Sequence, residues 1–104
     1  MHMQKTIAGK AVDVDEQGYL TDPSAWTKDI AAALAAELGI TLTDAHWKVI
    51  DWLRAEHTKG TELTIRGVGA SGIVDVKTFY ELFPGGPLKN ACRIAGLSKP
   101  TSCL

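Results

Sequence analysis

The chain is poor in cysteine: two residues in 104, with no CxxC pair. That excludes an ordinary structural zinc site, which needs four ligands at short, regular spacings. His46 and His57 stand eleven residues apart with no cysteine between them, so no tetrahedral set assembles from sequence neighbours. No apolar run approaches the about 20 residues that span a bilayer, so no membrane insertion is expected. The Met1-His2-Met3 start has no basic stretch leading into an apolar one and does not read as a secretory signal. The expected compartment is therefore the cytoplasm, where thiols are mostly reduced. There is no internal repeat, linker or low-complexity segment. Gly67-Val68-Gly69 is not a phosphate loop, since no helix or lysine follows at the right spacing. With no cofactor motif, no cofactor is expected, and the protein would turn nothing over alone.

Excess charge is lacking too. The formal net charge is −1, so no global field draws nucleic acid to the chain, and direct nucleic-acid binding is not expected. The charges are unevenly placed, however. Gly85 to Leu104 carries Lys89, Arg93 and Lys99 and no acid, while the other 84 residues hold eight basic and twelve acidic groups. The cationic end is also the cysteine end. Such a patch can steer the terminus towards an anionic surface or an anionic substrate such as sulfite, or it can simply solvate a helix.

What remains is enough for one domain with one modest core, spanning 1–104. The expected class is α+β, mainly helical: a small N-terminal β-hairpin, a helical bundle-like core and a flexible C-terminal arm at about 97–104. Ile7, Val12 and Val14 alternate with polar neighbours around turns at Ala8-Gly9-Lys10 and Asp15–Gly18. Asp22-Pro23 reads as the cap and first position of a helix with Trp26, Ile30, Ala33, Leu34 and Leu38 on one face, ended by Gly39. Thr43 opens a second helix, with Leu42 and Trp47 as a hydrophobic staple, that runs to about His57. Trp47 and Trp52 lie on different faces of it, so one of them is expected to be only partly buried. His46, in its first turn, reads as a hydrogen-bonded structural histidine.

Thr61–Arg66 alternates like a short strand, and Gly67, Gly69 and Gly72 read as a flexible loop. Asp75 caps a third helix with Val76, Phe79, Tyr80 and Phe83 as its apolar face. Pro84-Gly85-Gly86 breaks it, and Pro87 starts a fourth on which Leu88, Ala91, Cys92 and Ala95 share a face. Gly96 is a good residue just past that helix, with Leu97 as its apolar partner. One cysteine thus sits near a helix end and the other near the tip of a loose tail, an arrangement that suits a carrier of sulfur.

The run from Leu82 to Leu104 makes this specific. Leu82-Phe83-Pro84-Gly85-Gly86-Pro87, then Lys89-Asn90-Ala91-Cys92, then Ala95-Gly96-Leu97-Ser98-Lys99-Pro100 and Cys103 resembles the C-terminal signature of the DsrC/TusE family, LFPxGPxKQACxxAGLPKPxxC. Gly18-Tyr19-Leu20, Trp26 and His46-Trp47-x-x-Ile50-x-x-Leu53-Arg54 agree with it in the first half. Asn90 and Ser98 depart from the usual glutamine and proline. The segment between Arg54 and Phe83 is shorter than the family pattern, with glycine-rich 66–72 in place of the usual helical stretch.

The resemblance implies a sulfur-carrier protein in which Cys103 accepts sulfur and Cys92 resolves it as an intramolecular trisulfide or disulfide. It implies a DsrAB-like sulfite reductase or a sulfurtransferase as partner, and a thiol/disulfide reductase for regeneration. Members of the TusE type relay persulfide towards transfer-RNA thiolation and usually lack a cysteine at the Cys92 position. Arg66 corresponds to a family arginine near the tail's docking site; with Lys89, Arg93 and Lys99 it is a candidate for docking or for guiding an anion. Ten residues separate the cysteines, a span of up to about 35 Å when extended, so the tail can fold back or swing out. Cys92 on its apolar face could equally be core packing. A reading of another class is a helix-turn-helix-like redox-sensing or DNA-binding regulator built around the Gly39–Leu42 connection. The acidic body argues against it.

Overall fold

The computed structural model describes residues 3–100, and Cys103 lies outside them. A hairpin comes first: β1 (Met3–Ile7) pairs antiparallel with β2 (Lys10–Val14), Ile7 opposite Lys10 and Met3 opposite Val14. Two residues, Ala8 (φ 52°) and Gly9 (φ 79°), make the turn, and positive φ at both suits the right-handed twist of the strands. Ile7, Val12 and Val14 are buried. Asp15 Oδ1 accepts from the amides of Gln17 (2.8 Å) and Tyr19 (3.0 Å), a local turn that returns the chain so that Leu20 bridges Val14.

Asp22 does cap a turn at Pro23, but the helix expected from it is interrupted. Pro23–Ala25 is a single 3-10 turn, Trp26 is extended, and Thr27 caps α1 (Lys28–Glu37) by accepting from the Ile30 amide at 3.2 Å. Ser24 explains the stop: its amide and hydroxyl both bond Asp22 Oδ1, at 3.0 and 2.7 Å, which satisfies the short turn on its own. Trp26 is thereby released from the helical face assigned to it. The face α1 does bury is Ile30, Ala31, Leu34 and Ala35.

α2 (Asp44–Thr58) matches its expected start and end. His46 is a structural histidine. Its Nδ1 accepts from the Thr43 amide (3.0 Å), its Nε2 donates to the Leu82 carbonyl (2.8 Å), and its ring meets Phe83 edge-on at 5.0 Å. The bond to Leu82 ties the start of α2 to a residue 36 positions on. Both Trp47 and Trp52, rather than one of them, are partly buried.

The stretch after α2 overturns two expectations. No strand forms at 61–66, and the glycine-rich segment is a helix, α3 (Ile65–Ala70), capped by Thr64 accepting from the Gly67 amide at 2.8 Å. The glycines serve contact rather than freedom. A Cβ on Gly69 would lie 2.6 Å from Val76 Cγ2, and one on Gly67 would lie 3.0 Å from Thr64 Oγ1. The bare backbone of Gly69 lets α3 approach α4 (Val76–Leu82), which Asp75 caps by accepting from the Thr78 amide at 2.7 Å. Phe79 and Phe83 are buried as expected, but Val76 and Tyr80 are 40% and 50% exposed and do not belong to the core face. With only seven residues, α4 has one turn's worth of inner face, and the two phenylalanines fill it.

α5 (Pro87–Ile94) lies against α1, α2 and α4 and completes the core. No helix among the described residues is long and apolar enough to cross a membrane.

Candidate functional site

The site is built on α5, whose two ends are held by different devices. At its start, Gly86 takes φ 109° and Pro87 occupies the first helical position. Asn90, the departure from the usual glutamine, donates from Nδ2 to the Pro84 carbonyl at 2.9 Å and closes the preceding turn. Along the helix Leu88, Ala91, Cys92 and Ile94 are buried, while Lys89 is exposed.

The far end is a complete Schellman motif. Leu97 N–H reaches the Cys92 carbonyl (3.0 Å), Gly96 N–H reaches the Arg93 carbonyl (3.2 Å), and Gly96 takes φ 73°. That accounts for the Cys92 and Arg93 carbonyls and leaves those of Ile94 and Ala95. Both are taken by side chains from far away. Trp26 Nε1 donates to Ile94 O at 2.8 Å, and Arg54 Nη1 donates to Ala95 O at 2.7 Å. Arg54 also donates to Pro23 O at 3.2 Å, and its guanidinium lies 4.2 Å from the centroid of the Trp26 ring. A cation at a helix C-terminus complements the carbonyl end of the dipole, and stacking on indole adds to it. Gly96 fits under the same indole so closely that a Cβ there would lie 2.4 Å from Trp26 Cδ1. Partial burial draws the Arg54 guanidinium below its ordinary range, against the opposing pull of Asp51.

Cys92 sits inside this framework. It is fully buried, and burial pushes its thiol up to about 12. In this conformation Cys92 holds a neutral thiol, without the ionisation a nucleophile needs. Leu97 and Pro100, at the root of the expected arm, are buried as well, so the chain is seated on the body at least that far.

The candidate cations sit on different elements and differ in exposure. Arg66 is exposed on α3, Lys89 on the outer side of α5 and Lys99 beyond its end. Arg93 has a partner: its Nη2 is 3.7 Å from Glu37 Oε1, which also bonds Lys5 Nζ at 2.6 Å. Its guanidinium lies over Gly18, where a Cβ would come within 2.8 Å, and its buried Nε finds no acceptor among the described residues. Gly18 is thus needed where the resemblance placed a Gly-Tyr-Leu motif. Among the described residues, no group of three or more histidine, cysteine or acidic side chains is placed to hold a metal ion.

Trp26 and Arg54 are the residues sequence reasoning did not assign to the site. Both were visible as parts of family-like motifs, but their partners lie 68 and 41 residues away. An arginine in helical register with Trp47, Ile50 and Leu53 was the one available signal, and it named no acceptor.

Among the described residues a hairpin leads into five helices, the last carrying a buried thiol, which defines a small, mainly helical α+β domain. The comparisons give the family. A model described as "DsrC like protein" matches residues 6–104, and the chain belongs to this DsrC/TusE family. It is 38% identical over 104 residues to the sulfurtransferase TusE of Yersinia pseudotuberculosis serotype I (strain IP32953), covering 92% of this chain and 96% of that protein. The solution structure of Allochromatium vinosum DsrC superposes with a TM-score of 0.82 at 35% identity, covering all of both chains. The oxidized gamma-subunit of the dissimilatory sulfite reductase (DsrC) from Archaeoglobus fulgidus gives a TM-score of 0.82 at 37% identity, over 98% of this chain and 100% of that one.

Proposed function

We propose that the protein is a cytoplasmic sulfur carrier that serves as co-substrate of a sulfite reductase or a sulfurtransferase, with Cys103 accepting sulfur and Cys92 resolving it. The observation that carries this reading is the family match, which runs through residue 104 and takes in both cysteines. Relatives named as a sulfurtransferase and as a sulfite reductase gamma-subunit support it.

In the loading step the Cys103 thiolate attacks the outer sulfur of a donor persulfide. The donor leaves as a thiolate, and Cys103 holds the persulfide. The Cys92 thiolate then attacks the Cys103 sulfur, the bond to the outer sulfur breaks, and hydrosulfide leaves as the Cys92–Cys103 disulfide forms. The two thiols supply the two electrons that take sulfane sulfur to sulfide. Sulfur arriving two electrons below sulfite condenses instead with both thiols, releases two waters and is held as a trisulfide. A thiol/disulfide reductase restores the dithiol, with two electrons for the disulfide or four for the trisulfide.

A second reading is a TusE-like relay for transfer-RNA 2-thiouridine synthesis in which Cys103 acts alone. The burial of Cys92, with its thiol pushed up to about 12, favours it over two-thiol chemistry in the shut conformation. The DNA-binding regulator is supported by no basic face on the acidic body.

Non-reducing intact mass spectrometry, with assay of released sulfide, separates these after exposure to a persulfide donor. The two-thiol cycle predicts a disulfide and free sulfide from wild type, one added sulfur on Cys103 in Cys92→Ala, and none in Cys103→Ala. Persulfide on Cys103 whether or not Cys92 is present makes the relay the function. A Cys103 that takes up no sulfur ends both carrier readings, and DNA affinity that survives Cys103→Ala then favours the regulator.

A further inference from the structure

We infer that Trp26 and Arg54 form a latch over Cys92: while they hold the last turn of α5 the thiol is shut away, and that turn opens before Cys92 reacts. Its role in sulfur transfer rests on the two-cysteine reading above; its geometry does not. Cys92 is the residue whose carbonyl the Schellman motif bonds to Leu97 N–H, three positions before the Ala95 cap. In that motif an apolar residue past the glycine commonly packs back on the last turn, and Leu97, 1% exposed, is buried as Cys92 is, so Leu97 is taken as the cover over Cys92. The residue that leads the chain away from α5 is therefore also the lid on the buried sulfur. Lifting it breaks the two Schellman bonds and uncovers Sγ.

What resists that lifting lies outside α5. The Trp26 indole holds Ile94 O and packs on Gly96; the Arg54 guanidinium holds Ala95 O, stacks on the indole and reaches Pro23 O. The last two carbonyls of the helix are thus fastened to α2 and to the segment before α1. Arg54 and Trp26 touch no reacting atom, so they are positioning residues. With the latch shut, Cys103 works as a lone carrier and retains its sulfur. With the latch open, Cys92 is exposed to solvent, ionises in a more ordinary range and resolves the persulfide. One chain can then serve either the relay or the closing cycle, according to whether Trp26 and Arg54 hold the helix end.

The test is the alkylation rate of Cys92 by iodoacetamide in the Cys103→Ala chain, with Arg54→Ala, Arg54→Lys and Trp26→Phe added singly. Val12→Ala in the hairpin is the control for a general loss of stability, each variant being matched to it by denaturant titration. Losing charge-assisted bonds at the latch should speed alkylation by about tenfold beyond the control. Arg54→Lys, which keeps the charge but not the fork, should fall between wild type and Arg54→Ala, and the Leu97 amide should exchange faster in step. Alkylation no faster in the latch variants than in Val12→Ala, or no faster than in wild type, overturns the proposal. Persulfide loading of Cys103, measured separately in Cys92→Ala, keeps the two ideas apart: its failure removes the sulfur-carrier reading and leaves the alkylation result standing.

Discussion

Two short helices, α3 and α5, are secured by opposite means. α3 is held by what it lacks, since Gly69 gives up a side chain so that Val76 can press against its backbone. α5 is held by what others contribute, since an indole and a guanidinium from distant positions occupy its last two carbonyls. Removing atoms makes a close surface but no bond, whereas donated groups make a joint that can be released and remade. The second arrangement sits beside Cys92, where the proposed sulfur chemistry would need a change of state; the first joins two helices by a close contact.

The sharpest way to break this contrast is Gly96→Ala. The new Cβ would have to occupy space 2.4 Å from Trp26 Cδ1 at a φ of 73°, so both the left-handed turn and the indole are lost as cap. A loss of about 3 kcal/mol or more in denaturant unfolding is expected, with Cys92 becoming readily alkylated. If stability holds, the close fit under Trp26 is not what secures α5.

Alkaline titration probes the same end more gently. The folded Cys92 thiol is raised from 9.0 to about 12, so below pH 9 it is protonated in both states and costs nothing. Between pH 9 and 12 only the unfolded chain gives up the proton, and stability falls by about 1.4 kcal/mol per pH unit. The difference in unfolding free energy between wild type and Cys92→Ala should therefore shift in the variant's favour over that window. A difference that stays flat with pH would mean the thiol is not sealed in solution.

At α3 the expected effect is the smallest. Gly69→Ala adds a collision with Val76 but gains helix propensity, leaving a net loss of about 1 kcal/mol. Val76→Ala in the same chain removes the Cγ2 atom that collides and should restore most of it. A Gly69→Ala variant as stable as wild type would show that α3 and α4 do not press together there.

The same contrast decides what could be read from the sequence. Start signals are local: Asp22, Thr43 and Asp75 sit next to the amides they cap, Pro87 takes the first helical position, and each marks an element start in the structure. The Schellman end was equally legible from Ala95-Gly96-Leu97. Gly67 and Gly69 were not, because a glycine looks the same whether it supplies freedom or admits a neighbour, and the neighbour of Gly69 is on another helix. Trp26 fitted the helical face of α1 by spacing, and only the Ser24 bonds to Asp22 show why the helix starts after it. Val76 and Tyr80 were spaced correctly for a core face that a helix of seven residues is too short to bury. Of the four cations, the sequence did not show that Arg93 pairs with Glu37, a residue of another helix.

The joint at α5 also has a bearing on how the protein is made. Trp26 and Arg54 leave the ribosome well before Pro87–Ile94, so the receiving half of the joint exists before the helix it grips. An eight-residue helix has little persistence of its own in water. Cys92 is therefore an open, ordinary thiol on the nascent chain and acquires its protection only on docking, which makes sequestration of that sulfur a late step of biosynthesis and a sign that the body beneath it is complete.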